Sequence, residues 1–122
     1  MVNQKVRKKV LEADCNSCIV CGFSGKSLEQ KPILEAAHII PDSEGGPENL
    51  GNLISLCVRC HRLFDFYHLF YFDPETRKII LHENCDAESL GIYEEVGILC
   101  PKRIEKGYLT RRKQLVCDHW IG

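Results

Sequence analysis

The sequence has no apolar run long enough to cross a bilayer, no excess charge of either sign, no internal repeat and no low-complexity tract. A membrane-spanning helix needs roughly 20 apolar residues, so none is expected. Lysine plus arginine number 16 against 17 aspartates and glutamates, for a formal net charge of -1. No overall field therefore draws the chain to nucleic acid or acidic lipid, and any such attraction must come from local clusters. The residues after Met1 are polar and basic, without the apolar segment of a signal peptide. The expectation is a soluble, cytoplasmic protein. What the sequence does have is cysteine, eight in 122 residues. In a reducing compartment, metal binding explains these better than disulfides.

Two basic clusters stand out: Lys5, Arg7, Lys8 and Lys9 near the start, and Lys102, Arg103, Lys106, Arg111, Arg112 and Lys113 near the end. Glu83, Asp86, Glu88, Glu94 and Glu95 form an acidic run between them. Each cluster by itself reads as a solvated helix face.

Val6, Val10 and Leu11 lie at helical spacing among charges, which predicts a short amphipathic helix over 4–14. The apolar segment 33–40, stopped by Pro41, reads as a buried strand. A Gly/Pro/Asp/Asn-rich loop runs from Pro41 to Gly51, followed by a second strand over 52–56. A turn at 57–60 and a helix from His61 to about His68 come next. Residues 69–72 and 77–82 read as a hairpin about Asp73-Pro74-Glu75-Thr76. Residues 86–96 and 102–116 are candidate helices separated by Pro101.

Cys18-x-x-Cys21 and Cys57-x-x-Cys60 each let a tight turn aim two thiolates at one ion. Together they form a four-sulfur set, the arrangement structural zinc prefers. Such a site has no open coordination position, so its role is to staple the segment and add folding free energy. A redox pair or free buried cysteines are the alternatives for such spacing. Cys15-x-x-Cys18 has the same spacing, but Gly22 after Cys21 suits a knuckle turn and favours the second pair. Cys85, Cys100 and Cys117 read as small buried apolar residues.

Between the knuckles lie Glu35-Ala36-Ala37-His38-Ile39-Ile40-Pro41, then Asn49-Leu50-Gly51-Asn52, with His61-Arg62-Leu63-Phe64-Asp65 following Cys60. This ordered His…Asn…His series, threaded through two Cys-x-x-Cys pairs, resembles the HNH endonucleases, in the variant found in bacterial restriction enzymes and phage nucleases. The resemblance covers residues 4–82, about two-thirds of the chain. It implies an α+β fold: a small ββα-metal (His-Me finger) core with a structural zinc site, an N-terminal helix, a following β-hairpin and a helical C-terminal extension. The nuclease core would span 1–82, with 83–122 packed on the same domain.

The resemblance further implies hydrolysis of DNA phosphodiester bonds, leaving 5′-phosphate and 3′-hydroxyl ends. His38 would be the general base, a role suited to an imidazole that titrates near neutral pH. Asn52 would brace the loop that orients it. His61, with Asp65 one helical turn on, would bind a catalytic Mg²⁺ or Mn²⁺ beside the structural Zn²⁺. Arg59 and Arg62 would contact phosphates. Asn49 is a rival to Asn52, and His68 a further metal candidate on the His61 face. Many family members carry Asp or His directly before the base as a metal ligand; here that position is Ala37. Glu35 points to the same side of the strand as Ala37, so its substitution for the missing ligand would need distortion. DNA is the expected partner, with a homodimer or a target-recognition partner as further candidates; cutting both strands would need a dimer or two successive events. The C-terminal basic segment, with Tyr108 and Trp120, is either a DNA contact or a helix packed on the core. A non-catalytic zinc module that binds nucleic acid or protein, and a purely structural zinc domain, are the competing functions.

Overall fold

Asn3 starts the first helix because its side-chain oxygen accepts from the backbone N–H groups of Lys5 and Val6, at 2.8 and 3.4 Å. The computed structural model describes residues 2–92 and 98–121. Helix α1 (Gln4–Ala13) buries Val10 and Leu11, with Val6 packed partly behind them. Strand β1 (Glu35–His38) pairs antiparallel with β2 (Leu53–Leu56), so that His38 faces Leu53 and Glu35 faces Leu56 across the ladder. All four residues of β2 are buried, because α1 packs on this sheet and α2 (Val58–Asp65) also packs against it. Strands β3 (Phe70–Phe72) and β4 (Ile79–Leu81) form a second antiparallel hairpin, and α3 (Lys106–Ile121) packs along β3. Phe64 of α2 joins the layers: its ring lies 5.1 Å from that of Phe70 and 6.4 Å from that of Phe72.

Several boundaries differ from the sequence expectations. The first strand is four residues, not eight, since Ile33 is exposed and outside the ladder. Helix α2 begins at Val58, inside the expected turn at 57–60, because Cys57 takes the N-cap position and its sulfur accepts from the Cys60 N–H. The second knuckle is thus the first turn of the helix, which ends at Asp65 rather than near His68. Of the helix expected over 86–96, the described part forms turns, and residues 93–96 lie outside the described residues. The last helix begins four residues later than expected and runs on to Ile121.

The C-terminal basic cluster is not simply a solvated face. Arg103 clamps Asp14 with two bonds, at 2.6 and 2.9 Å, and also donates to the Leu53 carbonyl. Asp14 in turn accepts from the Ser55 N–H. This pair locks the end of α1 and the segment before α3 onto β2. Trp120 lies against Tyr71 and His82 and donates to the His68 carbonyl, so the packed-helix alternative describes the C-terminal segment. No helix among the described residues is long and apolar enough to cross a membrane.

Candidate active site and metal centre

The sulfur atoms of Cys18, Cys21, Cys57 and Cys60 all lie within 4.8 Å of one another, on residues that are buried or half-buried. A tetrahedral ion with zinc–sulfur bonds of about 2.3 Å needs sulfur–sulfur edges of about 3.8 Å, and Cys21 Sγ and Cys57 Sγ stand 3.7 Å apart. The donor set and its spacing therefore fit a structural zinc ion. Gly22 closes the first knuckle at φ 79°, and its N–H bonds to the Cys18 carbonyl. Cys15 is exposed and stands outside the cluster, which decides between the two equally spaced pairs. The hydrogen bond from Cys60 holds the Cys18 thiol down at about 5, whereas that same contact and burial push Cys60 up. Four sulfurs this close cannot all ionise without a cation among them. Cys100, by contrast, is buried away from the cluster and pushed up to about 12 by desolvation, as befits an inert core thiol.

His38 ends β1, half-buried, and lines an open cavity of about 550 Å³ together with Glu35, Asp42, His61 and Asp65. Among the described residues its ring has no hydrogen-bond partner. Its backbone is held firmly. Asn52, fully buried, accepts from the Ile40 N–H at 2.8 Å and donates to the carbonyls of Ile40 and Pro47. Asn52 touches only backbone, so it positions the loop. Asn49 instead caps its own turn through the Gly51 N–H. Gly46 is required by close approach: a Cβ there would lie 1.8 Å from the Ile40 oxygen.

His61 sits between two carboxylates. Its Nδ1 lies 2.6 Å from Glu35 Oε1 and its Nε2 2.8 Å from Asp65 Oδ2. The Asp65 contact, against the effect of burial and with help from Glu35, raises the His61 pKa above the ordinary imidazole value. Burial alone would raise the Asp65 carboxyl, but His61 and Arg112 together hold it below its usual range. His61 and Asp65 are hydrogen-bonded to each other, and one expectation changes here. Glu35 does reach the site without distortion. As the first residue of β1 it emerges at the strand end beside α2, whereas Ala37 is covered completely.

Arg112 is the residue that reading the sequence missed. It sits at 3% exposure, with its guanidinium carbon 3.6 Å from the centre of the Phe64 ring. It donates to the carbonyls of His38, Ile39 and Phe64 and to Asp65 Oδ1. One side chain of α3 thus ties the strand end carrying His38 to the helix end carrying Asp65. The run of six basic residues hid it, since only packing shows which one faces inward. Replacing it by leucine strands several buried carbonyls, so a loss of about 3 kcal/mol is expected. Denaturant unfolding of Arg112→Leu measures this, and a loss below about 0.5 kcal/mol would show the clamp to be idle.

Arg59 is exposed and donates to the Leu90 carbonyl. Arg62 remains exposed, near the Phe66 ring. His68 stacks on His119 at 3.7 Å rather than joining His61.

Residues 18–63 match the HNH endonuclease family. The chain is 34% identical over 59 residues to the type IV methyl-directed restriction enzyme EcoKMcrA of Escherichia coli strain K12, a match covering 47% of this chain and 21% of the enzyme. It is 32% identical over 59 residues to anaredoxin of Nostoc sp. strain PCC 7120, covering 48% of this chain and 70% of that protein. In fold it is similar to the modification-dependent TagI restriction endonuclease, with a TM-score of 0.73 and 24% identity over 93% of this chain and 38% of that one. The chain thus spans well under half of either restriction enzyme, while the shared fold extends far beyond residues 18–63.

Proposed function

Because this chain belongs to the HNH endonuclease family, we propose that it is a metal-dependent endonuclease that hydrolyses DNA phosphodiester bonds with His38 as general base. The observation that carries the reading is the single cavity lined by His38, Glu35, His61 and Asp65. His38 takes a proton from water, the water oxygen bonds to phosphorus, and the bond to the 3′ oxygen breaks, that oxygen then taking a proton from solvent. A divalent ion such as Mg²⁺ or Mn²⁺, when bound, stabilises the charge developing on the phosphoryl and leaving oxygens. His61 and Glu35 are the groups we assign to hold it. Glu35 has oxygen donors of the kind hard cations take and bonds only to His61, whereas Asp65 already answers to Arg112. Asp65 then orients His61 from the far side of the ring.

Glu35→Gln is expected to weaken Mn²⁺ binding, read by electron paramagnetic resonance of the free ion, by about tenfold or more. Asp65→Asn should weaken it less. The opposite order would return the ligand role to Asp65.

Ala37, where many family members place a metal ligand, favours a second reading: a zinc module that binds nucleic acid without cutting it. Supercoiled plasmid incubated with the purified chain across Mg²⁺, Mn²⁺, Co²⁺ and Ni²⁺ decides between them. Nicking or linearisation supports the nuclease; binding without cleavage under every ion supports the module.

A further inference from the structure

Beside the candidate active-site cavity lies a second groove of about 560 Å³, between α1 and the turn at 26–32. The two are neighbours, since Gln4 and Arg7 line both. Their charges are opposite. The first carries the carboxylates of Glu35, Asp42 and Asp65, with Arg7 and the imidazoles of His38 and His61 beside them. The second carries Arg7, Lys8, Lys26 and Lys31 against Glu12 alone. In a protein whose formal net charge is -1, this is a strong local concentration of cations. The three lysines are exposed, and none forms an ion pair among the described residues.

The groove is also built to keep its shape. Arg7 donates from Nη2 to the carbonyls of Pro32 and Leu34, at 3.3 and 2.7 Å, stapling the turn to α1. Within the turn, Lys26 pairs with Pro32, and the Ser27 N–H donates to the Lys31 carbonyl. Lys26 and Lys31 thus project from a closed loop facing the helix that carries Lys8. Like charges lining one groove raise the free energy of the free protein and are relieved by a polyanion.

We propose that this groove binds the sugar-phosphate backbone of the nucleic acid on one side of the scissile phosphate, which lies in the adjoining acidic cavity. The proposal rests on the nuclease reading for the second half of that statement only. An acidic cavity repels phosphate, so affinity must come from cations beside it, and the groove supplies them next to Arg7. Phosphate contacts of this kind position the duplex and carry no sequence information.

The test is fluorescence anisotropy with a fluorescein-labelled duplex of about 20 base pairs, titrated at several salt concentrations without added divalent ion so that the probe stays intact. Each phosphate contact contributes about 0.9 to the slope of log affinity against log salt. The triple variant Lys8→Gln, Lys26→Gln, Lys31→Gln should therefore flatten the slope by about 2 to 3 and weaken binding at low salt at least tenfold. A matched variant, Lys78→Gln, Lys102→Gln, Lys106→Gln, removes equal charge outside both cavities and should keep the wild-type slope. A wild-type protein that does not bind the duplex, a groove variant that keeps its slope, or a matched variant that loses as much would overturn the proposal. Unchanged zinc content and circular dichroism exclude misfolding as the cause. If the slope falls as expected but the wild type cuts no plasmid under any ion, the groove stands and the nuclease reading fails.

Discussion

Replacing His38 by alanine is expected to lower divalent-dependent plasmid cleavage by about a hundred- to ten-thousandfold, the usual worth of a positioned general base. The variant should stay folded, with stability within about 0.5 kcal/mol of wild type. The reason lies in how the site is divided. The imidazole has no protein hydrogen bond among the described residues, while the backbone beneath it is held by others. Asn52 bonds both polar groups of Ile40, and Arg112 bonds the carbonyls of His38 and Ile39. Removing the ring therefore removes a proton acceptor and little else. Initial rates of nicking on supercoiled plasmid, with zinc content and the thermal midpoint as controls, measure both halves. Cleavage by His38→Ala at the wild-type rate would end the assignment of the base.

Loss of the four-sulfur site should have the larger effect on stability. Structural zinc sites bind with apparent free energies of about 10–16 kcal/mol in small peptides. The whole stability of a domain this size is about 5–15 kcal/mol. Cys57→Ser should thus release the ion and leave the chain largely unfolded at 25 °C. This substitution is chosen because Cys57 also caps α2, and serine is itself a good N-cap. The helix cap is kept while the metal ligand is lost, so the loss reports on the ion. Metal analysis of the purified protein and circular dichroism check the outcome. Cys15→Ser, at an exposed cysteine outside the cluster, is the control and should change neither. A Cys57→Ser chain that is folded and as stable as wild type would refute the structural role.

Much of the site could be read from residue order. The two Cys-x-x-Cys pairs predict a four-sulfur cluster because a two-residue spacer fits only a tight turn, and the cluster is there. Asn52 makes three hydrogen bonds, all to backbone groups of the loop between β1 and β2. The contacts of Glu35 and Asp65 with His61 were less legible. Strand alternation correctly put Glu35 on the side of Ala37, but not that β1 starts there, where a long side chain can pass the sheet end and reach His61. Helical spacing put Asp65 on the His61 face, yet could not show that the two would bond to each other.

The division follows the range of the forces. Each Cys-x-x-Cys turn and the amphipathic spacing of α1 depend on neighbours a few residues apart, so the sequence by itself determined them, although the two knuckles meet across 36 residues of chain. The role of Arg112 depends on contacts 47 to 74 residues away in the chain. Six basic residues in one run are alike until packing buries one of them under Phe64 and the end of β1. The pairing of an acidic cavity with a basic groove also belongs to the tertiary structure, because Lys8 and Lys31 line one groove only after Arg7 pins the turn to α1. Local chemistry named the groups; long-range burial and ion pairing decided which of them face one another.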